Sequence, residues 1–134
     1  MTTLVMVCTG DKYPRKACTN IEYQLINVGF QFDRSHVITR GEGSVYDKLK
    51  IFEECRKDGE HYVYFDLDVV IKDTIDVVRD EFTLLYAWWR QPYHTPLNSS
   101  VMAWKGDRRD ISLGMDRSKY KRGIDEYIYK EVDY

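Results

Sequence analysis

Residues 63–70 have the sequence Val-Tyr-Phe-Asp-Leu-Asp-Val-Val, and this stretch decides the predicted fold. Its first three residues continue an apolar run from His61, which is typical of a buried strand. Asp66 and Asp68 follow where that strand ends, at the edge of an α/β sheet that commonly binds ligands. Because residues two apart point to the same side of an extended chain, the two carboxylates are expected to lie together.

This aspartate pair predicts a metal site. Two carboxylates this close repel each other unless a cation lies between them. Mg²⁺ and Mn²⁺ prefer oxygen ligands and are commonly shared between protein carboxylates and substrate phosphates. The simpler interpretation is a pair of solvated turn aspartates, but the strongly apolar strand before them favours the metal site.

Strand and helix patterns alternate on both sides of this stretch. Ser44, with Asp47 three residues later, gives the second helix a start that resembles a capping box. The order strand–helix–strand–helix–strand predicts βαβ units in a single α/β domain, residues 1–134, with a mostly parallel, later mixed sheet and helices on both faces. Strands are predicted at residues 3–8, 36–39, 61–65 (extended by 69–71), 82–89 and 99–104, and helices at 14–29, 44–58, 73–79 and 123–132.

Composition and charge exclude several classes of protein. The 134 residues include 20 Lys and Arg and 22 Asp and Glu, a formal net charge of −2 that argues against nucleic acid as the partner. No apolar run is long enough for a signal peptide or a membrane span. The three cysteines form no close pair, which favours a reducing compartment, so we expect a soluble cytoplasmic protein.

Two enzyme classes use an aspartate pair after a strand. In haloacid-dehalogenase-like phosphatases the first aspartate is a nucleophile and the second an acid or base. In sugar-nucleotide glycosyltransferases the pair holds a metal ion on the donor diphosphate and so neutralises the departing group. The phosphatase motif usually opens the chain, whereas 65 residues precede Asp66 here, and the next predicted strand ends in Ala87-Trp88-Trp89 rather than Ser or Thr. The placement therefore favours the glycosyltransferase.

The chain resembles GT-A fold glycosyltransferases, in particular the glycogenin-like and galactinol-synthase-like retaining enzymes. The resemblance implies a GT-A type, Rossmann-like fold and transfer of a sugar from a nucleoside diphosphate sugar to a hydroxyl acceptor. It rests on five segments in the family's order, which are Thr9-Gly10-Asp11-Lys12-Tyr13, Lys48-Leu49, Asp66-Leu67-Asp68, Pro96-Leu97-Asn98-Ser99-Ser100-Val101 and Gly123-Ile124-Asp125-Glu126.

The resemblance also implies how the donor, with UDP as the expected nucleotide, is bound. It places Mn²⁺ or Mg²⁺ on the diphosphate through Asp66 and Asp68, and it places Lys48 near the nucleotide and the sugar. The other implied donor-site residues contact the base, the ribose or the rest of the donor, and they are Thr9, Gly10, Asp11, Tyr13, Leu67, Asn98 and Ser99.

Asp125 is the candidate catalytic residue that the resemblance implies, with Glu126 as the alternate. A carboxylate near the anomeric carbon is either a base for the acceptor hydroxyl or a stabiliser of an oxocarbenium-like transition state. The simpler interpretation is an acid pair in the first turn of a helix, where the helix dipole favours negative charge.

Three departures from the family pattern leave a second function open. Ser100 stands where the family has glycine, Glu126 replaces a glutamine, and no histidine follows His94 to complete the metal site. The alternative is a module that binds a nucleotide sugar or a metal without turnover, or one that needs a second copy or a partner protein.

The aromatic residues around position 90 are a further candidate surface. Trp88 and Trp89 are adjacent in the predicted strand and therefore face opposite sides. One is expected in the core, and the other, together with Tyr93, is a candidate for stacking on a sugar face.

Overall fold

A computed structural model of the protein describes residues 1–91 and 94–134. The Tyr93 prediction therefore falls outside the described residues. The strands are β1 (Thr2–Val7), β2 (Arg34–Ile38), β3 (His61–Phe65), β4 (Thr83–Tyr86) and β5 (Leu97–Lys105). The α-helices are α1 (Lys16–Asn27), α2 (Lys50–Glu54), α3 (Arg109–Leu113) and α4 (Ile124–Glu131), with 3₁₀ turns at Val45–Leu49 and Trp88–Arg90.

The strands form one five-stranded mixed sheet in the order β2-β1-β3-β5-β4. β1 is parallel to both β2 and β3, whereas β5 is antiparallel to both β3 and β4. β4 therefore runs in the same direction as β1, β2 and β3, and β5 is the reversed strand. The prediction of a single α/β domain with a mixed sheet is confirmed.

The chain reverses its path across the sheet between β1 and β3. From β1 it passes through α1 to β2 on one side, and from β2 it crosses back through α2 to β3 on the other side. In such Rossmann-like sheets, a crevice opens beyond the carboxyl ends of the strands at the reversal. Thr9 follows β1 and Asp66 follows β3 at this crevice.

Two apolar clusters cover the two faces of the sheet. Alternating residues of β1 separate between them, with Leu4 and Met6 in one cluster and Val5 in the other, as the twofold periodicity of a strand requires. α1 packs on the first face, and α2 and α4 pack on the second. Trp104, fully buried, fills the second face against Phe52, with ring centroids 4.8 Å apart. The predicted helices on both faces are confirmed.

Residues 69–80 do not form the predicted strand extension and helix. The Gln24 side chain of α1 accepts from Ile71 N at 2.7 Å and donates to Val69 O at 3.4 Å, so it takes the backbone bonds that a neighbouring strand would need. Residues 75–78 lie against the Leu4 and Met6 cluster through β-branched side chains, which have low helix propensity. The predicted elements at 69–71 and 73–79 were therefore wrong.

The fourth predicted strand ends earlier than expected. β4 stops at Tyr86, and the chain then turns into the 3₁₀ segment Trp88–Arg90. Trp88 and Trp89 are 65% and 67% exposed, so the prediction that one of them lies in the core was wrong. The unassigned polar stretch 105–122 contains the short helix α3. Within the described ranges, no helix has the length and apolar character needed to cross a bilayer.

Two glycines bring the loops that follow β1 and β2 into contact. Gly10 and Gly43 have φ angles of +69° and +80°, a region that L side chains rarely adopt. A Cβ atom added to Gly10 would lie 3.0 Å from the Cα atom of Gly43. The close approach of these loops therefore depends on the absence of a side chain at residue 10.

We predict that Gly10→Ala lowers the free energy of unfolding more than Gly29→Ala does, as measured by urea denaturation. Gly29 has a φ of +81° with open space around its Cβ position, so it serves as the matched control for backbone strain alone. That strain costs about 1–2 kcal/mol. Gly10→Ala carries the additional clash with Gly43, and equal losses in the two variants would contradict the contact.

Candidate functional site

A cavity of about 370 Å³ opens at the carboxyl ends of β1 and β3. Its walls come from the loop after β1, the 3₁₀ turn Val45–Leu49, the loop after β3, β5 and the start of α4. The structure brings together in these walls the predicted site residues Thr9, Tyr13, Lys48, Asp66, Leu67, Asp68, Ser99 and Asp125.

Four predicted site residues, all within the described ranges, are absent from the cavity walls. Gly10 lies against Gly43, and Asp11 is exposed in the turn after β1. The Asn98 side chain turns back on its own backbone and accepts from Ser100 N at 2.8 Å. Glu126 pairs with Lys130 at 3.5 Å, which leaves Asp125 as the acid of the α4 start that faces the cavity.

Asp66 is fixed through both its backbone and its side chain. Its N–H donates to Ser100 O at 2.8 Å, which continues the pairing of β3 with β5. Its Oδ1 atom lies 3.0 Å from Lys48 Nζ and accepts a hydrogen bond from the Tyr64 hydroxyl. Burial, together with the nearby Asp66 charge, holds the pKa of Tyr64 well above its ordinary value, so this hydroxyl stays a donor.

Lys48 joins the ends of β3 and β5. Its ammonium group donates to Ser99 Oγ at 3.1 Å and to Ser99 O at 3.4 Å, in addition to its contact with Asp66. The Lys48 side chain is 16% exposed, and this remaining surface faces the cavity. Lys12 and Arg122 also line the cavity, so three cationic side chains share its walls with the aspartate pair.

Asp66 and Asp68 are the two carboxylates that a metal ion shared with a substrate would use. Across residues 1–91 and 94–134, no cluster of three or more His, Cys, Asp or Glu side chains is placed to hold a metal ion. Asp68 is exposed and Asp66 already accepts from Lys48 and Tyr64. Mg²⁺ is usually bound by one or two carboxylates with phosphate oxygens and waters, so two carboxylates fit a metal–diphosphate complex.

Asp47 is a site-forming residue that the sequence analysis placed only in a capping box. Its carboxylate is 1% exposed and accepts from Thr9 Oγ1 at 2.6 Å, Glu42 N at 3.1 Å and Gly43 N at 2.8 Å. Ser44 does cap the following turn, through a bond from Tyr46 N, but Asp47 does not reach back to it as a capping box requires. The carboxylate instead ties the loop after β2 to the loop after β1.

Asp125 is held by two different donors. Its Oδ1 atom accepts from Ser99 N at 3.0 Å, and its Oδ2 atom accepts from Arg90 Nη1 at 3.2 Å. The Asp125 and Arg90 side chains are 19% and 18% exposed, so this ion pair is largely shielded from water. Arg90 Nη2 also contacts the ring of His94, at 2.9 Å from Nε2.

Sequence reasoning missed four residues with a clear role in this geometry, namely Asp47, Tyr64, Arg90 and Arg122. Tyr64 lies between Val63 and Phe65 in the strand, so the twofold periodicity of a strand puts it on the same face as Asp66. That periodicity does not identify the hydrogen bond between Tyr64 and Asp66. Arg122 directly precedes the segment that begins at Gly123, so its nearness to Asp125 was a usable signal. No sequence pattern marks the long-range partners of Asp47 or Arg90.

Comparison of the chain with protein-family models, with curated proteins and with solved structures finds no match.

We predict that Asp47→Asn lowers the free energy of unfolding by about 1–3 kcal/mol at neutral pH, the cost of leaving buried hydrogen-bond donors poorly satisfied. Urea denaturation measures the loss. Asp116→Asn is the matched control, because Asp116 is exposed and its carboxylate accepts from Ser118 within its own turn.

The effect of Asp47→Asn should also depend on pH. Burial alone would raise the pKa of Asp47, but hydrogen bonds from Thr9, Glu42 and Gly43 outweigh it and lower this pKa below the ordinary value of 3.8. The stabilisation is therefore complete above that ordinary value and is lost as the pH falls through the lower folded-state value. The difference between wild type and Asp47→Asn should shrink below about pH 4; a constant difference would contradict this assignment.

Proposed function

We propose that the protein is a metal-dependent glycosyltransferase that moves a sugar from a nucleoside diphosphate sugar, with UDP as the nucleotide, to a hydroxyl acceptor. The observation that carries the proposal is the composition of one cavity. An aspartate pair, three cationic side chains and a separate carboxylate line it, at the edge of the sheet where such folds bind nucleotides. The sheet and its covering helices are compatible with the GT-A type fold that we propose.

The donor nucleotide is proposed to lie over the loop after β1. Tyr13 lines the cavity there and offers an aromatic face for the base, a contact worth about 1–3 kcal/mol in comparable stacks. Thr9 lines the same wall, where its hydroxyl is held by Asp47. Lys12, Lys48 and Arg122 supply positive charge for the diphosphate, which is the chemistry that a phosphate-binding cavity needs.

Asp66 and Asp68 are the residues that would hold Mn²⁺ or Mg²⁺ against the donor diphosphate. A bound divalent ion supplies Lewis-acid stabilisation of the charge on the departing diphosphate. Lys48, 3.0 Å from Asp66, adds a protein cation beside the aspartate pair. Asp68 is exposed and lines the cavity, so its carboxylate is accessible to a ligand there.

Asp125 is proposed to act at the donor sugar. In the transfer, the bond between the anomeric carbon and the phosphate oxygen breaks, a bond to the acceptor oxygen forms, and the acceptor hydroxyl loses its proton. A carboxylate beside the anomeric carbon either takes that proton or stabilises the positive charge that develops on the ring. Ser99 and Asp125 are joined by a hydrogen bond, so β5 and α4 together form this wall.

One observation favours a second candidate, a module that binds the nucleotide sugar without transferring it. In the described part of the chain the aspartate pair has no third protein ligand for a metal ion. Both candidates require metal-dependent nucleotide binding, and release of free or transferred sugar distinguishes them.

The proposal is tested by isothermal titration of the full chain with UDP and with UDP- and GDP-sugars. We expect binding of a UDP species in the presence of Mn²⁺ and its loss in the presence of a chelator. Absence of binding by every nucleotide tested would overturn both candidates.

We predict that Asp68→Asn abolishes the metal-dependent part of nucleotide binding, because it removes one of the two carboxylates available to the metal ion. Asp76→Asn is the matched control, since Asp76 is 92% exposed and pairs with Arg79 away from the cavity walls. Unchanged nucleotide affinity in Asp68→Asn, measured by the same titration, would show that the aspartate pair is not a metal site.

A further inference from the structure

We infer that Arg90 is a positioning residue, which holds the Asp125 carboxylate in the orientation needed at the donor sugar. The inference rests on the proposed function and adds a residue that neither the aspartate pair nor the cavity walls include. Its basis is the ion pair between Arg90 Nη1 and Asp125 Oδ2, at 3.2 Å.

The Arg90 guanidinium is itself held in place. Its Nη1 atom also donates to Leu97 O at 2.9 Å, at the first residue of β5. Its Nη2 atom contacts the His94 ring, and the Arg90 backbone accepts from His94 N at 2.9 Å. A guanidinium is planar, permanently charged and presents several donors at fixed angles, so these contacts define its orientation.

The contacts to Asp125 use both carboxylate oxygens, from two different elements. Ser99 N fixes Oδ1 from β5, and Arg90 fixes Oδ2 from the 3₁₀ turn Trp88–Arg90. Two donors on two oxygens determine the plane of the carboxylate, whereas the Ser99 bond alone leaves it free to rotate. Asp125 faces the cavity, while Arg90 lies behind it and is absent from the cavity walls in the described part of the chain.

Arg90 also gives Asp125 its electrostatic character. An arginine does not give up its proton near neutral pH, so Arg90 places a permanent positive charge 3.2 Å from Asp125 Oδ2. Removing Arg90 should therefore affect steps that involve the donor sugar and spare those that involve only the nucleotide.

The experiment compares wild type, Arg90→Met and Arg90→Lys in titrations with Mn²⁺ and either UDP or UDP-sugars (glucose, galactose and N-acetylglucosamine). We expect the UDP affinity of Arg90→Met to be unchanged, but the additional affinity that the sugar confers to be lost. Where wild type releases or transfers sugar, kcat should fall on the order of a hundredfold, the effect of a misplaced reacting group. Arg90→Lys should recover part of both effects, since it keeps the charge.

A double-mutant comparison separates positioning from a merely structural role. If Arg90 acts through Asp125, Arg90→Met should have no further effect on sugar-dependent affinity in an Asp125→Asn background. Arg79→Met is the control, because it removes an arginine from an exposed ion pair outside the cavity walls. If thermal denaturation shows that Arg90→Met is unfolded, Arg90→Lys replaces it in the same double-mutant comparison.

The outcomes distinguish this inference from the proposed function. A wild type that binds no nucleotide overturns both. If wild type binds UDP-sugars more tightly than UDP and Arg90→Met shows the same difference in affinity, the positioning role alone is overturned. Additive effects of Arg90→Met and Asp125→Asn on sugar-dependent affinity would also overturn it.

Discussion

The buried Asp47 carboxylate is the interaction on which the shape of the cavity depends. It lies behind the cavity wall and accepts hydrogen bonds from Thr9, Glu42 and Gly43, which belong to the loops after β1 and β2. These two loops come from adjacent parallel strands and also approach each other closely at Gly10 and Gly43. A buried carboxylate is tolerated when its oxygens are hydrogen-bonded, and here that requirement fixes the separation of the loops. Tyr13 and Lys48, which follow Thr9 and Gly43 in the sequence, both line the cavity.

The second organising feature is a balance of charges at the crevice where the chain reverses its path across the sheet. Lys48 lies between Asp66 and Ser99, so it compensates the aspartate and links the ends of β3 and β5. Arg90 compensates Asp125 in the same way. Asp66 and Asp125 therefore each have a cationic partner, while the more exposed Asp68 does not share in these two pairs. This arrangement leaves a polar cavity with cationic side chains that would attract a diphosphate and carboxylates that would attract a divalent ion.

Much of the fold was predictable because periodicity reports local burial. The apolar runs around Val5 and Val63 and the helical spacing of Ile21 and Leu25 identified β1, β3 and α1. The errors arose where a distant partner decided the outcome. Gln24 takes the backbone bonds of residues 69–71, and the turn at Trp88 exposes both indoles.

Asp66, Lys48 and Asp125 were predicted to lie in one site, and all three line the same cavity, but Asn98 and Glu126 turn to local partners. Thr9, a partner of Asp47, and Asp125, a partner of Arg90, lie 38 and 35 residues away in the sequence, beyond any local pattern.

Amide NMR tests whether a nucleoside diphosphate and a divalent ion bind in this cavity. Spectra of the isotope-labelled chain with Mg²⁺, before and after addition of UDP, would locate the ligand residue by residue. We expect shifts concentrated at the carboxyl ends of the parallel strands and the facing part of β5, at residues such as Thr9, Leu67 and Ser99. Shifts confined to the amino ends, around Arg34 and Glu60, or no shifts at all, would contradict binding in this cavity.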